Sequence, residues 1–192
     1  MKHILNEYSN VCLSGGANGS DLQWGMNAGK NDHCVIHWIF KGYKSNAPNS
    51  EKVILNKDQL EKSDYYIEQA NNVLKRNIPY NNYYVLNLLR RNYYQVCWSE
   101  FVYAVTTFDN NIVQGGTAWA VQMFVNNNKP NNNLFVFDQY NNHWLTWVDF
   151  SSNKMPIFEI TKDVPKPKKI WAGIGTRNLN EKGKNAIRNL FV

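Results

Sequence analysis

Apolar positions along this chain fall into two alternating rhythms. Short apolar runs bounded by turn residues predict strands at Asn10–Ser14, Cys34–Phe40, Phe101–Val105, Leu134–Phe137 and Ile170–Ala172. The segments between them predict helices. Asp21–Gly29 carries Leu22, Trp24 and Met26, and Lys57–Leu74 carries Leu60, Ile67, Ala70 and Leu74 at roughly helical spacing. Pro79 breaks the chain before Asn82–Trp98, which holds Val85, Leu86, Leu88 and Leu89. Gly115-Gly116-Thr117 opens a helix through Phe124, and Asn180–Phe191 is the last.

Strands alternating with helices imply parallel pairing, so the expected fold class is α/β, a Rossmann-like doubly wound parallel sheet. Ligands of such sheets sit outside the carboxyl ends of the strands. Three glycine turns fall at such ends.

Composition narrows the class. The 192 residues suit one domain over 1–192, and 43% hydrophobic residues with seven Trp exclude a disordered chain. The Asn126–Asn128 and Asn131–Asn133 runs predict loops. Net charge is +6, which suits an anionic ligand and is compatible with weak nucleic-acid contact. Lys162–Lys169, with Pro165 and Pro167 interleaved, reads first as a solvated linker. Cys12, Cys34 and Cys97 lie in apolar surroundings without paired spacing and read as reduced core residues of a cytoplasmic protein. Neither a signal peptide nor a membrane span is evident, so no membrane partner is expected.

The first constellation is Ser14-Gly15-Gly16-Ala17-Asn18-Gly19-Ser20-Asp21. Glycines let backbone N–H groups approach a phosphate, and the following helix adds its positive end. Ser20 and Asp21 are also good caps, which would make the turn merely structural. The second is Gly115-Gly116-Thr117. The third is Gly173-Ile174-Gly175-Thr176-Arg177, whose arginine can pair with a phosphate or a carboxylate. Each alone is weak, but three after strands in one domain point to a shared anion pocket. Lys41, Gly42 and Tyr43, after another strand, are expected at its rim. His33 and His37 face one way on a strand but lack further ligands, so packing is favoured over metal binding, and neither metal nor cofactor is expected. The pairs Tyr65-Tyr66, Tyr83-Tyr84 and Tyr93-Tyr94 suit core and rim packing better than base stacking. No catalytic triad is readable.

These residues resemble a family. The Ser14–Asp21 run resembles the SGGAxGAD signature of the SLOG superfamily, Rossmann-like relatives of the LOG phosphoribohydrolases and of DNA-processing protein A. Ala172-Gly173-Ile174-Gly175-Thr176-Arg177 resembles its AGIGSR motif, and Gly115-Gly116-Thr117 its GGT turn. Ile36–Ser45 (IHWIFKGYKS) is similar to the segment after the next strand, and Asn92–Val96 to the run before the fourth. The order differs from the common members, in which AGIGSR opens the chain. Joining Val192 to Met1 would restore it, so the resemblance implies a circular permutation, with 151–169 linking the ancestral termini and the Ile170–Ala172 strand lying beside Asn10–Ser14. The alternative is exchange of the last strand and helix between subunits.

The resemblance implies a ligand of nucleotide or ADP-ribose type, bound by the three turns. It also suggests a compact phage protein that sequesters a defence nucleotide. LOG hydrolases carry a glutamate where this chain has Ala120, which lowers the hydrolase reading; Asp21, Glu100 and Asp109 are the nearest acids. An enzyme acting on a nucleotide or nucleoside phosphate is the second reading, and a nucleic-acid accessory protein the third. The partners expected are thus a nucleotide-like small molecule and further copies of the chain in a homo-oligomer, with nucleic acid not expected.

Overall fold

The computed structural model describes residues 7–127, 133–148 and 154–192; the expected loops at 128 and 131–132, the start of the expected linker at 151–153 and the Met1 end of the proposed permutation lie outside them. Among the described residues, eight strands form one sheet in the order β3-β2-β1-β10-β4-β7-β8-β9. Six of them pair in parallel: β3 (Lys52–Leu55), β2 (Cys34–Phe40), β1 (Asn10–Ser14), β10 (Lys169–Gly175), β4 (Phe101–Thr106) and β7 (Leu134–Asp138). The central ones are buried on both faces; every residue of β4 and β7 is buried, which is why they appear as unbroken apolar runs.

Helices cover both faces. On one side α1 (Ser20–Lys30) and α6 (Glu181–Asn189) place Trp24, Ala28 and Ile187 over Cys12, Tyr103 and Trp171. On the other, α3 (Asp64–Leu74), α4 (Tyr83–Val96) and α5 (Thr117–Asn126) bury Ile67, Leu89 and Phe124 against Val102, Val136 and Ala172. The doubly wound α/β architecture is therefore as expected, and β10 lies in register beside β1, with Val11 opposite Ile170 and Leu13 opposite Ala172. No helix among the described residues is long and apolar enough to cross a membrane.

Several elements differ from the expectation. The 57–74 helix is two, α2 (Lys57–Lys62) and α3, which meet at Ser63. That bend delivers Asp64 to Arg90 of α4, whose Nε and Nη2 donate to its carboxylate at 2.7 and 2.6 Å. The sheet is not wholly parallel: β8 (His143–Trp147) and β9 (Phe158–Thr161) extend it antiparallel beyond β7. Residues 151–169 are thus not all linker, since β9 lies within them. The lysine- and proline-bearing stretch that follows is irregular but docked: Pro167 is buried, Val164 packs on the core, and the Pro165 carbonyl accepts from Tyr103 Oη at 3.1 Å. A two-residue-turn hairpin, β5 (Phe108–Asp109) and β6 (Ile112–Val113), stands between β4 and α5; Asn110 and Asn111 both have the positive φ that such turns demand.

The contact of α1 with β10 sets the geometry of the carboxyl edge. Trp24 lies directly over Gly173, where a Cβ would come within 2.5 Å of the indole Cγ, and its Nε1–H donates to the Ile174 carbonyl at 3.1 Å. Gly173→Ala should therefore destabilise the fold by about 1–3 kcal/mol through overpacking. Gly29→Ala in α1, where a Cβ would meet only Val35 Cγ2 of β2 at 3.9 Å, should not lower stability. Urea unfolding of both variants checks the contrast.

Candidate functional site

A cleft of about 370 Å³ opens at the carboxyl ends of β10 and β4. Its rim and floor come from three turns that are far apart in sequence: Ala17 and Asp21 from the first, Gly115–Thr117 from the second, and Gly175–Arg177 from the third. Helix α4 supplies a wall that mixes apolar Val85, Leu88 and Leu89 with polar Arg91, Asn92 and Gln95. The volume lies within the roughly 300–1,000 Å³ usual for small-molecule sites.

The first and third turns are closed on each other. The Ser20 amide and Oγ both donate to the Thr176 carbonyl, at 3.0 and 2.9 Å, and the Leu22 and Gln23 amides donate to Ala17 and Gly19. Gly19 is pressed on the Thr176 and Arg177 carbonyls, and Gly175 on Val105 and Ser20; a Cβ at either would fall under 3 Å from them. Ser14 Oγ donates to the Gly173 carbonyl at 2.6 Å. Ser14, Gly19, Ser20, Gly173 and Gly175 are therefore explained by close packing of α1 on β10.

The second turn is open. A Cβ at Gly115 or Gly116 would meet nothing within 4 Å, and Gly115 has φ 65°. Among the described residues the amides of Gly116 and Thr117 have no acceptor, so the first N–H groups of α5 are left to the cleft. Arg76 fastens the turn from behind by donating to the Gly115 and Val113 carbonyls at 2.9 and 3.1 Å. Across the cleft Arg177 is exposed and, among the described residues, has no carboxylate partner. An open helix start facing a free guanidinium is an arrangement that holds anions.

Beneath Gly15 lies a buried polar group. Arg91 donates through Nη1 to the Gly15 and Trp38 carbonyls and approaches Asp21 Oδ2 with Nη2 at 3.5 Å; its Cζ is 4.8 Å from the centre of the Tyr43 ring. The Ala17 amide and Gln95 Nε2 also donate to Asp21 Oδ2, both at 3.4 Å. Burial pushes the Asp21 carboxyl above the usual range, and Arg91 is the main force pulling it back.

The remaining expected residues sit elsewhere. Lys41 is exposed and does not line the cleft; Tyr43 stands behind Arg91, stacked on Tyr84. The Gly16 carbonyl accepts from Ser45 Oγ, and Asn18, exposed, pairs with Asn46. Glu100 pairs with Lys169, and Asp109 lies exposed in the hairpin; neither lines the cleft. Ala120, buried, does. His33 accepts from Trp171 Nε1, while Tyr66 and Tyr93 stack on each other with centroids 4.0 Å apart.

Sequence reasoning placed the helix α4 but missed it as a wall of the cleft. Its signal was present: Leu88, Arg91, Asn92 and Gln95 recur at three- and four-residue spacing, so polar residues interrupt the buried face of an otherwise amphipathic helix. No family model, curated protein or solved structure matches the chain.

Under the first turn His37 is buried, with Nε2 3.5 Å from Glu51 Oε2. The contact is not an ion pair at neutral pH, because burial, Arg91 and Lys52 lower the imidazole to about 4. A base that titrates lower in the folded state gives stability that is complete above about pH 6.5 and is lost as the pH falls toward 4. Stability should drop by about 2 kcal/mol between pH 7 and pH 5 from this group. In His37→Gln that component should be missing from urea titrations at the two pH values.

Proposed function

We propose that the chain binds a nucleotide or ADP-ribose-like small molecule in this cleft. The observation that carries the reading is the open start of α5 at Gly116 and Thr117, opposite the unpaired Arg177 in a cleft shared by three strand-to-helix turns. Phosphate oxygens suit the free amides and the guanidinium, while Val85, Leu88 and Leu89 offer an apolar wall to a base. Binding without conversion is favoured over hydrolysis. Ala120 occupies the place of the LOG glutamate, and the one carboxylate lining the cleft among the described residues, Asp21, is engaged with Arg91. A protein that holds such a ligand intact acts by sequestration, which in a phage would blunt a nucleotide defence signal.

The kinship we propose is with the SLOG superfamily in permuted form. Two observations support it. Counted from β10 as the first strand, the parallel part of the sheet runs 4-3-2-1-5-6 from β3 to β7, a doubly wound order that reverses between β10 and β4. Phe191, near the chain end, packs 5.9 Å from Trp171, whose register partner is Cys12 of β1, so a short joint would connect the last helix to the first strand.

Small molecules released from the denatured, freshly purified protein and identified by mass spectrometry test the reading: an intact phosphorylated nucleoside is expected. Arg177→Ala should weaken binding of the recovered molecule roughly 10- to 100-fold and leave thermal unfolding unchanged. Equal affinity in the variant would remove the anion site. Incubation with AMP should release no free base, which chromatography of the reaction checks.

A further inference from the structure

Besides its anion-binding groups, the cleft holds a carboxyl group with its own requirement. Asp21 is only 4% exposed, yet it lines the cleft. The Ala17 amide, Gln95 and Arg91 all converge on its Oδ2. Among the described residues nothing donates to Oδ1, and Oδ1 is not one of the sealed buried atoms left without a partner. It therefore reaches the open space of the cleft. A carboxyl oxygen that opens to the cleft accepts from whatever donor stands there, water or a ligand hydroxyl.

The identity of that donor follows from the charges around it. Arg91 is already engaged with the Gly15 and Trp38 carbonyls, Asp21 and the Tyr43 ring, so Asp21 stands in the cleft as one half of a charge pair. Arg91 is the main cation that bears on the Asp21 carboxyl. A second phosphate placed here would meet a carboxylate. A neutral hydroxyl would be accepted, because a carboxylate offers only acceptors.

Building on the anion-binding reading above, we propose that Asp21 is the hydroxyl-reading residue of the cleft. Its Oδ1 accepts from a ligand hydroxyl, so the site selects a phosphorylated sugar, with phosphate at Gly116–Thr117 and Arg177 and a ribose-type diol at Asp21, over phosphate chains alone. Asp21 is thus a specificity residue whose partner group stands beside the anion, not on it.

Calorimetric titration with three probes tests this: AMP, its 2′,3′-dideoxy analogue, and inorganic pyrophosphate, each against the parent protein and Asp21→Asn. The parent should bind AMP about tenfold or more tightly than the dideoxy analogue, the effect of one hydrogen bond to a charged acceptor. In Asp21→Asn that ratio should fall toward one, with pyrophosphate affinity changed less than about twofold. If Asp21→Asn fails to unfold cooperatively, the paired variant Asp21→Asn with Arg91→Gln removes both buried charges together and is measured in its place. Equal binding of AMP and the dideoxy analogue by the parent overturns the hydroxyl assignment while leaving the anion site standing. A preference that survives unchanged in the variants overturns the role of Asp21. Failure of all three probes to bind overturns the anion-binding reading itself, and this inference with it.

Discussion

Helix α1 is drawn onto strand β10 more closely than side chains would normally permit, and the carboxyl edge of the sheet takes its form from that approach. Trp24 covers Gly173 where a methyl group would collide, and its indole N–H holds the Ile174 carbonyl. Ser14 and Ser20 reach the Gly173 and Thr176 carbonyls from the strand before α1 and from its first residue. Two loops from opposite ends of the chain are thereby fixed against each other over a few residues. Their mutual closure engages the leading amide of α1, whereas those of Gly116 and Thr117 at the start of α5 have no acceptor among the described residues.

The second constraint is the buried pair of Arg91 and Asp21. Two charges this deep are retained only if their remaining polar groups find partners, and breaking such a pair typically costs about 3–5 kcal/mol. Arg91 meets the requirement in part by tying Gly15 and Trp38, and thus the first turn, to helix α4, while its buried Nε has no acceptor among the described residues. Position 15 must then be glycine for a packing reason, since a Cβ there would overlap the guanidinium. The same pair forms the floor of the cleft and sets its charge: balanced at Asp21, positive at Arg177.

The sequence was most legible where both faces of a strand are covered. β4, β7 and β10 are buried throughout most of their length, and apolar runs announced them, in β10 with glycine at its end. The elements that escaped are short or half-exposed. β3 has four residues and an exposed Ile54; β9 exposes Glu159 and Ile160; in β8 buried and half-buried positions alternate within five residues. None of these carries enough buried pattern to separate it from a loop. The convergence of the glycine turns was legible because parallel strands put all their carboxyl ends on one edge. The contribution of α4 was not, since the linear motif for Arg91 is only a charge among aromatic neighbours, and its meaning depends on which turn it lies beneath.

The three turns look alike as sequence because glycine answers two different needs. At Gly19, Gly173 and Gly175 it lets one piece of backbone or a tryptophan come close; at Gly115 and Gly116 it leaves room. The longest and most recognisable signature, Ser14–Asp21, belongs mainly to the first kind. Its helix dipole is met by the Thr176 carbonyl and by the Asp21 carboxylate inside the protein. The short Gly115-Gly116-Thr117 turn, weakest as a motif, has amides at Gly116 and Thr117 without acceptors among the described residues. Motif strength therefore tracks how many atoms must fit together, whereas capacity for an external ligand tracks how many polar groups the fold leaves unsatisfied at an open surface. By that second measure the site is organised around Gly116, Thr117, Arg177 and the free oxygen of Asp21, with the rest of the glycine signature serving to hold them in place.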